Sequence, residues 1–160
     1  NRKKMARTSS TPGRTQAINF FSIDRNRLYM VDLPGYGFAR VPLKIKASWG
    51  RMVETYLRHR TNLKGMVVIM DIRRDVSDDD LALIDWLGQY RIRPIPVFTK
   101  ADKLSKQKRA ARLRKLTKDF SGFSSETPIL FSAHTREGRE EIWKRIEEVV
   151  ECHDLKSSSP

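Results

Sequence analysis

Three short strings in this 160-residue chain carry residue types suited to holding a nucleotide. Asp32-Leu33-Pro34-Gly35 has the form D-x-P-G. An Asp at such a turn can hold magnesium, usually through water, and a Gly lets a backbone N–H approach a terminal phosphate with no side chain between them. Thr99-Lys100-Ala101-Asp102 has the form T-K-x-D. The single carboxylate of Asp102 can accept two hydrogen bonds, from the ring N–H and the exocyclic amine of guanine. Adenine offers no such edge, so the wrong base would leave Asp102 unpaired. The stem of Lys100 can cover one face of the base. Phe131-Ser132-Ala133 can turn backbone N–H groups toward the guanine carbonyl. Each string alone has an ordinary local explanation: a Pro-Gly turn, a helix lead-in, the end of a strand. Their order is informative, because each follows an apolar run and one or two strand-helix units separate successive strings.

The elements that must position these strings follow from periodicity. Ile18 and Phe20 alternate with Asn19 within Gln16 to Ile23, and Leu28 to Val31 forms a second apolar run after the polar turn Asp24 to Arg27, which predicts a strand hairpin. Leu43 to Arg60 places Trp49, Met52, Val53, Tyr56 and Leu57 at helical spacing. Three continuous apolar runs follow, Gly65 to Ile72, Pro94 to Thr99 and Pro128 to Ser132. Continuous apolarity marks strands covered on both faces of a parallel sheet. The helices after them are predicted at Asp78 to Tyr90, Ser105 to Phe120 and Arg136 to His153, with Ser105 as a cap and Glu137, Glu140 and Glu141 near a helix start. Strand-helix alternation of this kind gives an α/β fold with a mainly parallel sheet and helices on both faces, to which the predicted hairpin would add an antiparallel edge strand. In such sheets ligands bind beyond the carboxyl ends of the strands, where the three strings fall.

Composition narrows the function classes. The 32 Lys and Arg against 19 Asp and Glu give a formal charge of +13, which favours a polyanion such as nucleic acid. The charge is clustered. Lys103, Lys106, Lys108, Arg109, Arg112, Arg114, Lys115 and Lys118 lie between Asp102 and Asp119 with no acidic residue among them, and Arg40, Lys44, Lys46 and Arg51 form a second set. Repulsion within so dense a run is offset by a phosphate backbone. The longest purely apolar run, Met66 to Met70, is far below the roughly 20 residues a membrane-crossing helix needs, so a soluble protein is expected. Cys152 is the only cysteine, His59, His134 and His153 show no ligand spacing, and a reducing, cytoplasmic compartment fits. Trp49, Trp86 and Trp143 fall on helix faces and read as packing residues.

The strings Ala6 to Gln16 (Ala-Arg-Thr-Ser-Ser-Thr-Pro-Gly-Arg-Thr-Gln), Asn19-Phe20-Phe21 and Asp32 to Arg40 (Asp-Leu-Pro-Gly-Tyr-Gly-Phe-Ala-Arg) resemble the EngB (YihA) family of GTPases. Thr99, where most GTPases carry Asn, is also a habit of that family. The similarity runs from the first residues to about Val150. It implies a P-loop, Ras-like GTPase domain over residues 1–155 with a polar, disordered tail at 156–160, binding GTP or GDP with Mg2+. By that resemblance Thr15 is a switch I threonine that binds magnesium together with Asp32, the latter through water. Gly13, Arg14, Thr15, Gln16 and Ala17 form its nucleotide-contacting loop, Asp32 to Gly35 begin switch II, and Thr99 to Asp102 with Phe131 to Ala133 line the guanine pocket. The resemblance also implies a monomer acting in assembly of the large ribosomal subunit, with ribosomal RNA held by the basic helix Lys103 to Lys118, and a link to cell division and septation.

Two departures qualify these expectations. A GTPase needs G-x-x-x-x-G-K-[ST], whose amides cradle the phosphates, and that string occurs nowhere in the chain. In the family it precedes the segment matching Asn1-Arg2-Lys3-Lys4, so the sequence reads as part of a longer parent whose first strand and P-loop lie upstream. Many GTPases place Gln directly after D-x-x-G to orient water; here Tyr36 stands there, so slow intrinsic hydrolysis is expected. The rival readings are a basic RNA-binding module indifferent to nucleotides, and another guanine-specific GTPase working in tRNA modification or division.

Overall fold

Ile95 to Phe98 are all buried, which is why their run carries no polar alternation: side chains pointing to either face of the strand meet a helix. The computed structural model describes residues 18–23, 25, 27–33, 43–122 and 126–157. The chain divides into two units, Asn1–Thr61 and Asn62–Pro160.

In the first unit, β1 (Asn19–Ile23) and β2 (Leu28–Asp32) pair antiparallel, with Asn19 opposite Asp32 and Ile23 opposite Leu28. The predicted hairpin forms, its first strand starting at Asn19. Helix α1 spans Leu43–His59. Phe20 of β1 meets Tyr56 of α1 edge-on at 6.1 Å between ring centroids, and the Arg60 guanidinium lies 5.2 and 5.5 Å from the two rings.

The second unit is built on three parallel strands in the order β3-β4-β5: β3 (Gly65–Asp71), β4 (Arg93–Thr99) and β5 (Ile129–Leu130). Between and after them run α2 (Asp78–Gln89), α3 (Lys106–Phe120) and α4 (Arg139–Ser157). On one face Ile95, Val97, Ile129 and Val149 form a cluster, with Val67, Phe131, Ile142 and Ile146 packed against it from the sheet and α4. Phe98 points the other way by strand alternation and meets Phe120 of α3 edge-on at 5.8 Å. Helices thus cover both faces, as expected of a three-layer α/β fold.

Local chemistry sets the boundaries. Helix α2 opens with a capping box: the Ser77 hydroxyl accepts from Asp80 N–H while the Asp80 carboxylate accepts from Ser77 N–H. In α3 the Ser105 hydroxyl accepts from Lys108 N–H, as predicted. Strand β5 is shorter than the predicted Pro128 to Ser132. It pairs only with Val97 and Phe98: before them β4 carries Pro96, which lacks the N–H a longer ladder would use, and after Thr99 the left-handed backbone of Lys100 ends β4. Helix α4 starts three residues later than predicted because Arg136 (φ 64°) and Gly138 (φ 78°) hold left-handed backbone that no α-helix contains. It also continues to Ser157, past the predicted end at His153 and into the segment expected to be a disordered tail. No Gly or Pro interrupts the chain there before Pro160.

Candidate nucleotide-binding site

The carboxyl ends of β3, β4 and β5 are stitched together by four hydrogen bonds. Phe131 N–H donates to Phe98 O at 2.8 Å, Ala101 N–H to Phe131 O at 3.1 Å, and Ile72 N–H to Thr99 O at 3.1 Å. The Thr99 hydroxyl donates to Met70 O at 2.9 Å, fastening the end of β4 to that of β3. Ala101, fully buried, opens a single 3-10 turn over Ala101–Lys103 that presents Asp102.

Ser132, also fully buried, is the hub of the site. Its hydroxyl donates to Asp102 Oδ1 at 2.7 Å and accepts from the backbone N–H groups of His134 and Thr135 at 3.2 and 3.1 Å. Lys103 Nζ stands 3.3 Å from the other carboxylate oxygen. The Ser132 hydroxyl holds the Asp102 carboxyl below the usual carboxylate range, against the opposing effect of partial burial and with help from Lys103. The carboxylate is 17% exposed, and each of its oxygens retains lone pairs for an incoming donor. Ala133, next in the chain, is exposed, and its N–H has no partner among the described residues.

Beside this carboxylate lies a second charged group that motif reading did not single out. Lys100 has left-handed backbone (φ 63°, ψ 31°), and its ammonium donates to Asp71 Oδ2 at 2.9 Å. Arg73 forks onto both Asp71 oxygens, Nε at 2.9 and 3.2 Å and Nη2 at 2.7 Å. Asp71 is held far below the ordinary carboxylate range, first by Arg73 and then by Lys100, with partial burial opposing. The available signal was a carboxylate ending an apolar strand run.

The structure therefore joins Thr99, Lys100, Ala101 and Asp102 with Phe131, Ser132 and Ala133 at one sheet edge. Asp32 is the exposed last residue of β2 in the first unit, followed by Leu33. Gly13, Arg14, Thr15, Gln16, Ala17, Pro34 and Gly35 lie outside the described residues. Among the described residues no group of three or more His, Cys, Asp or Glu is placed to hold a metal, and no helix is long and apolar enough to cross a membrane.

The basic segment after Asp102 is sorted by its partners. Arg109 pairs with Glu137 at 2.6 Å, and Arg112 and Lys115 converge on Asp75 at 2.7 and 2.6 Å. Arg112 also donates to the carbonyls of Ile72 and Arg74, which fastens α3 to the loop after β3. Lys106, Lys108, Arg114 and Lys118 are exposed and make no ion pair among the described residues.

A family model described as 50S ribosome-binding GTPase matches residues 1–100. A probable GTP-binding protein EngB of Syntrophotalea carbinolica is 50% identical over 147 residues, covering 92% of this chain and 70% of that one. Its counterpart from Geotalea daltonii is 51% identical over 150 residues, covering 94% and 72%. A crystal structure of a probable GTP-binding protein engB superposes with a TM-score of 0.69 at 20% identity, over 85% of this chain and 84% of that one, which is a likeness of fold.

Proposed function

This chain belongs to the EngB family of GTP-binding proteins, and from that premise we propose that it works in the cytoplasm as a GTP/GDP switch in assembly of the large ribosomal subunit. The observation that carries the nucleotide reading is the Asp102 carboxylate, held at the strand ends by the buried Ser132 hydroxyl at 2.7 Å. A carboxylate fixed in place and kept ionised can accept both the ring N–H and the amine of guanine without first reorganising. The Ala133 N–H is available to the guanine carbonyl, and the Lys100 stem to the face of the ring.

Magnesium would be held through water by Asp32, whose carboxylate is exposed, and by the Thr15 hydroxyl, and there it would neutralise phosphate charge. GTP would order Gly13 to Gln16 and the segment after Gly35, and hydrolysis would release them. Hydrolysis is proposed for the full-length protein, with a G-x-x-x-x-G-K-[ST] loop supplying the phosphate contacts. The exposed cations Lys106, Lys108, Arg114 and Lys118 support ribosomal RNA as the partner, because they lie on one helix whose single acidic residue, Asp119, sits at its far end.

Asp102→Asn in the full-length protein tests the pocket. Asn presents an amide donor where guanine needs an acceptor, and xanthine carries a carbonyl where guanine carries its amine. GDP affinity should fall by roughly 100-fold or more while xanthosine diphosphate gains. Unchanged GDP binding would refute the pocket. RNA affinity indifferent to nucleotide state would then favour the nucleotide-independent RNA-binding module.

A further inference from the structure

Lys100 occupies backbone that lysine seldom adopts, and a strained residue persists only where its surroundings over-determine it. Three contacts do so here. Ala101 N–H is tied to Phe131 O, Lys103 N–H donates to Lys100 O at 3.0 Å, and the Lys100 ammonium is held by Asp71. Asp71 stands opposite Thr99 in the β3–β4 register, so the Lys100 side chain reaches sideways across the strand ends to the neighbouring strand. Asp71 is itself fixed. Its carboxylate is only 14% exposed, accepts from Arg73 N–H at 3.0 Å, and is forked by the Arg73 guanidinium. A free lysine stem samples many rotamers, whereas one pinned at its Cα and its ammonium is a fixed apolar rib.

We infer that Asp71 is a positioning residue for the nucleotide. Through a carboxylate locked by Arg73 it holds the Lys100 ammonium, so that the aliphatic stem is laid out beside Asp102 as a ready platform for the face of the base. The inference rests on the reading of Asp102 as the base-recognising carboxylate. It adds a residue and a reason: the platform is organised before the nucleotide arrives, so binding does not have to order it.

The test is a set of titrations of the full-length protein with a fluorescent GDP analogue, each variant paired with its urea midpoint. Asp71→Ala should weaken GDP roughly fivefold, the upper end for a half-exposed ion pair, with the preference for guanine over xanthine unchanged. Lys100→Ala should weaken it more, and the double variant should match Lys100→Ala alone, because Asp71 acts only through Lys100. Asp71→Asn keeps the side-chain volume and one acceptor, and should fall between wild type and Asp71→Ala; it decides the matter if Asp71→Ala does not fold. A role limited to stapling β3 to β4 would lower the urea midpoint and leave GDP affinity alone, and that result overturns the inference. So would losses that simply add in the double variant. Failure of the pocket itself shows separately, as an unchanged guanine-to-xanthine preference in Asp102→Asn.

Discussion

Among the described glycines, Gly138 is the position at which one methyl group should cost most. It lies one residue before α4 with φ 78°, and a Cβ placed there would stand 1.9 Å from Leu130 O and 3.0 Å from Leu130 C. Real contacts of this kind do not fall below 3.0 Å, so the start of α4 must move away from β5 by about 1 Å. The left-handed backbone adds roughly 1–2 kcal/mol for a residue with a Cβ. The displacement also strains the bonds Ser132 N–H to Glu137 O (3.1 Å) and Arg136 N–H to Ser132 O (2.8 Å), each worth about 1 kcal/mol. Gly138→Ala should therefore destabilise the protein by about 3–4 kcal/mol, a large share of the 5–15 kcal/mol typical of a domain. With an m-value of about 2 kcal/mol per molar, the urea midpoint followed by tryptophan fluorescence should drop by about 1.5–2 M. GDP affinity should fall with it, because the same turn holds Ser132 against Asp102. Gly88→Ala is the control: it lies in α2 with open space around the new methyl, and should stabilise by up to about 1 kcal/mol. A Gly138→Ala midpoint within about 0.3 M of wild type would refute this account of how α4 seats on β5.

Phe120→Ala, which removes a fully buried ring packed on Phe98, should cost about 3–5 kcal/mol in the same urea assay, whereas Phe20→Ala at a 48% exposed site should cost far less. Asp75 is held at about 2 by Lys115 and Arg112, below an ordinary 3.8; a lowered folded-state value means that its ion pairs stabilise above about pH 4 and stop doing so as pH falls through 2. Melting temperature measured from pH 5 to pH 2 should accordingly fall less steeply in Asp75→Asn than in wild type. Changing Lys106, Lys108, Arg114 and Lys118 together to Gln should reduce the slope of log affinity for RNA against log salt by roughly 3 and leave melting unchanged. Arg112→Gln should instead lower melting, because that side chain is bound to Asp75 and to two carbonyls.

Much of the fold was legible because burial on both faces writes a continuous apolar run. The strands at Gly65–Asp71 and Arg93–Thr99 and the helix at Lys106–Phe120 fell within a residue of their predicted bounds. Boundaries governed by backbone geometry were less legible. The later start of α4 depends on left-handed Arg136, a conformation that arginine does not announce.

The site divides along the same line. The sequence by itself determined that T-K-x-D and F-S-A end neighbouring apolar runs, and in a parallel sheet that places both at one edge, because parallel strands end on the same side. Only the tertiary structure decided which polar groups there find one another. Ser132 meets Asp102 across 30 residues, Lys100 meets Asp71 across 29, and Asp75 draws Arg112 and Lys115 out of the basic run across 37 and 40. A sequence lists charges, but which of them are cancelled depends on distances of 2.6–2.9 Å set by how α3 and the loop after β3 pack, and packing is a property of the whole sheet.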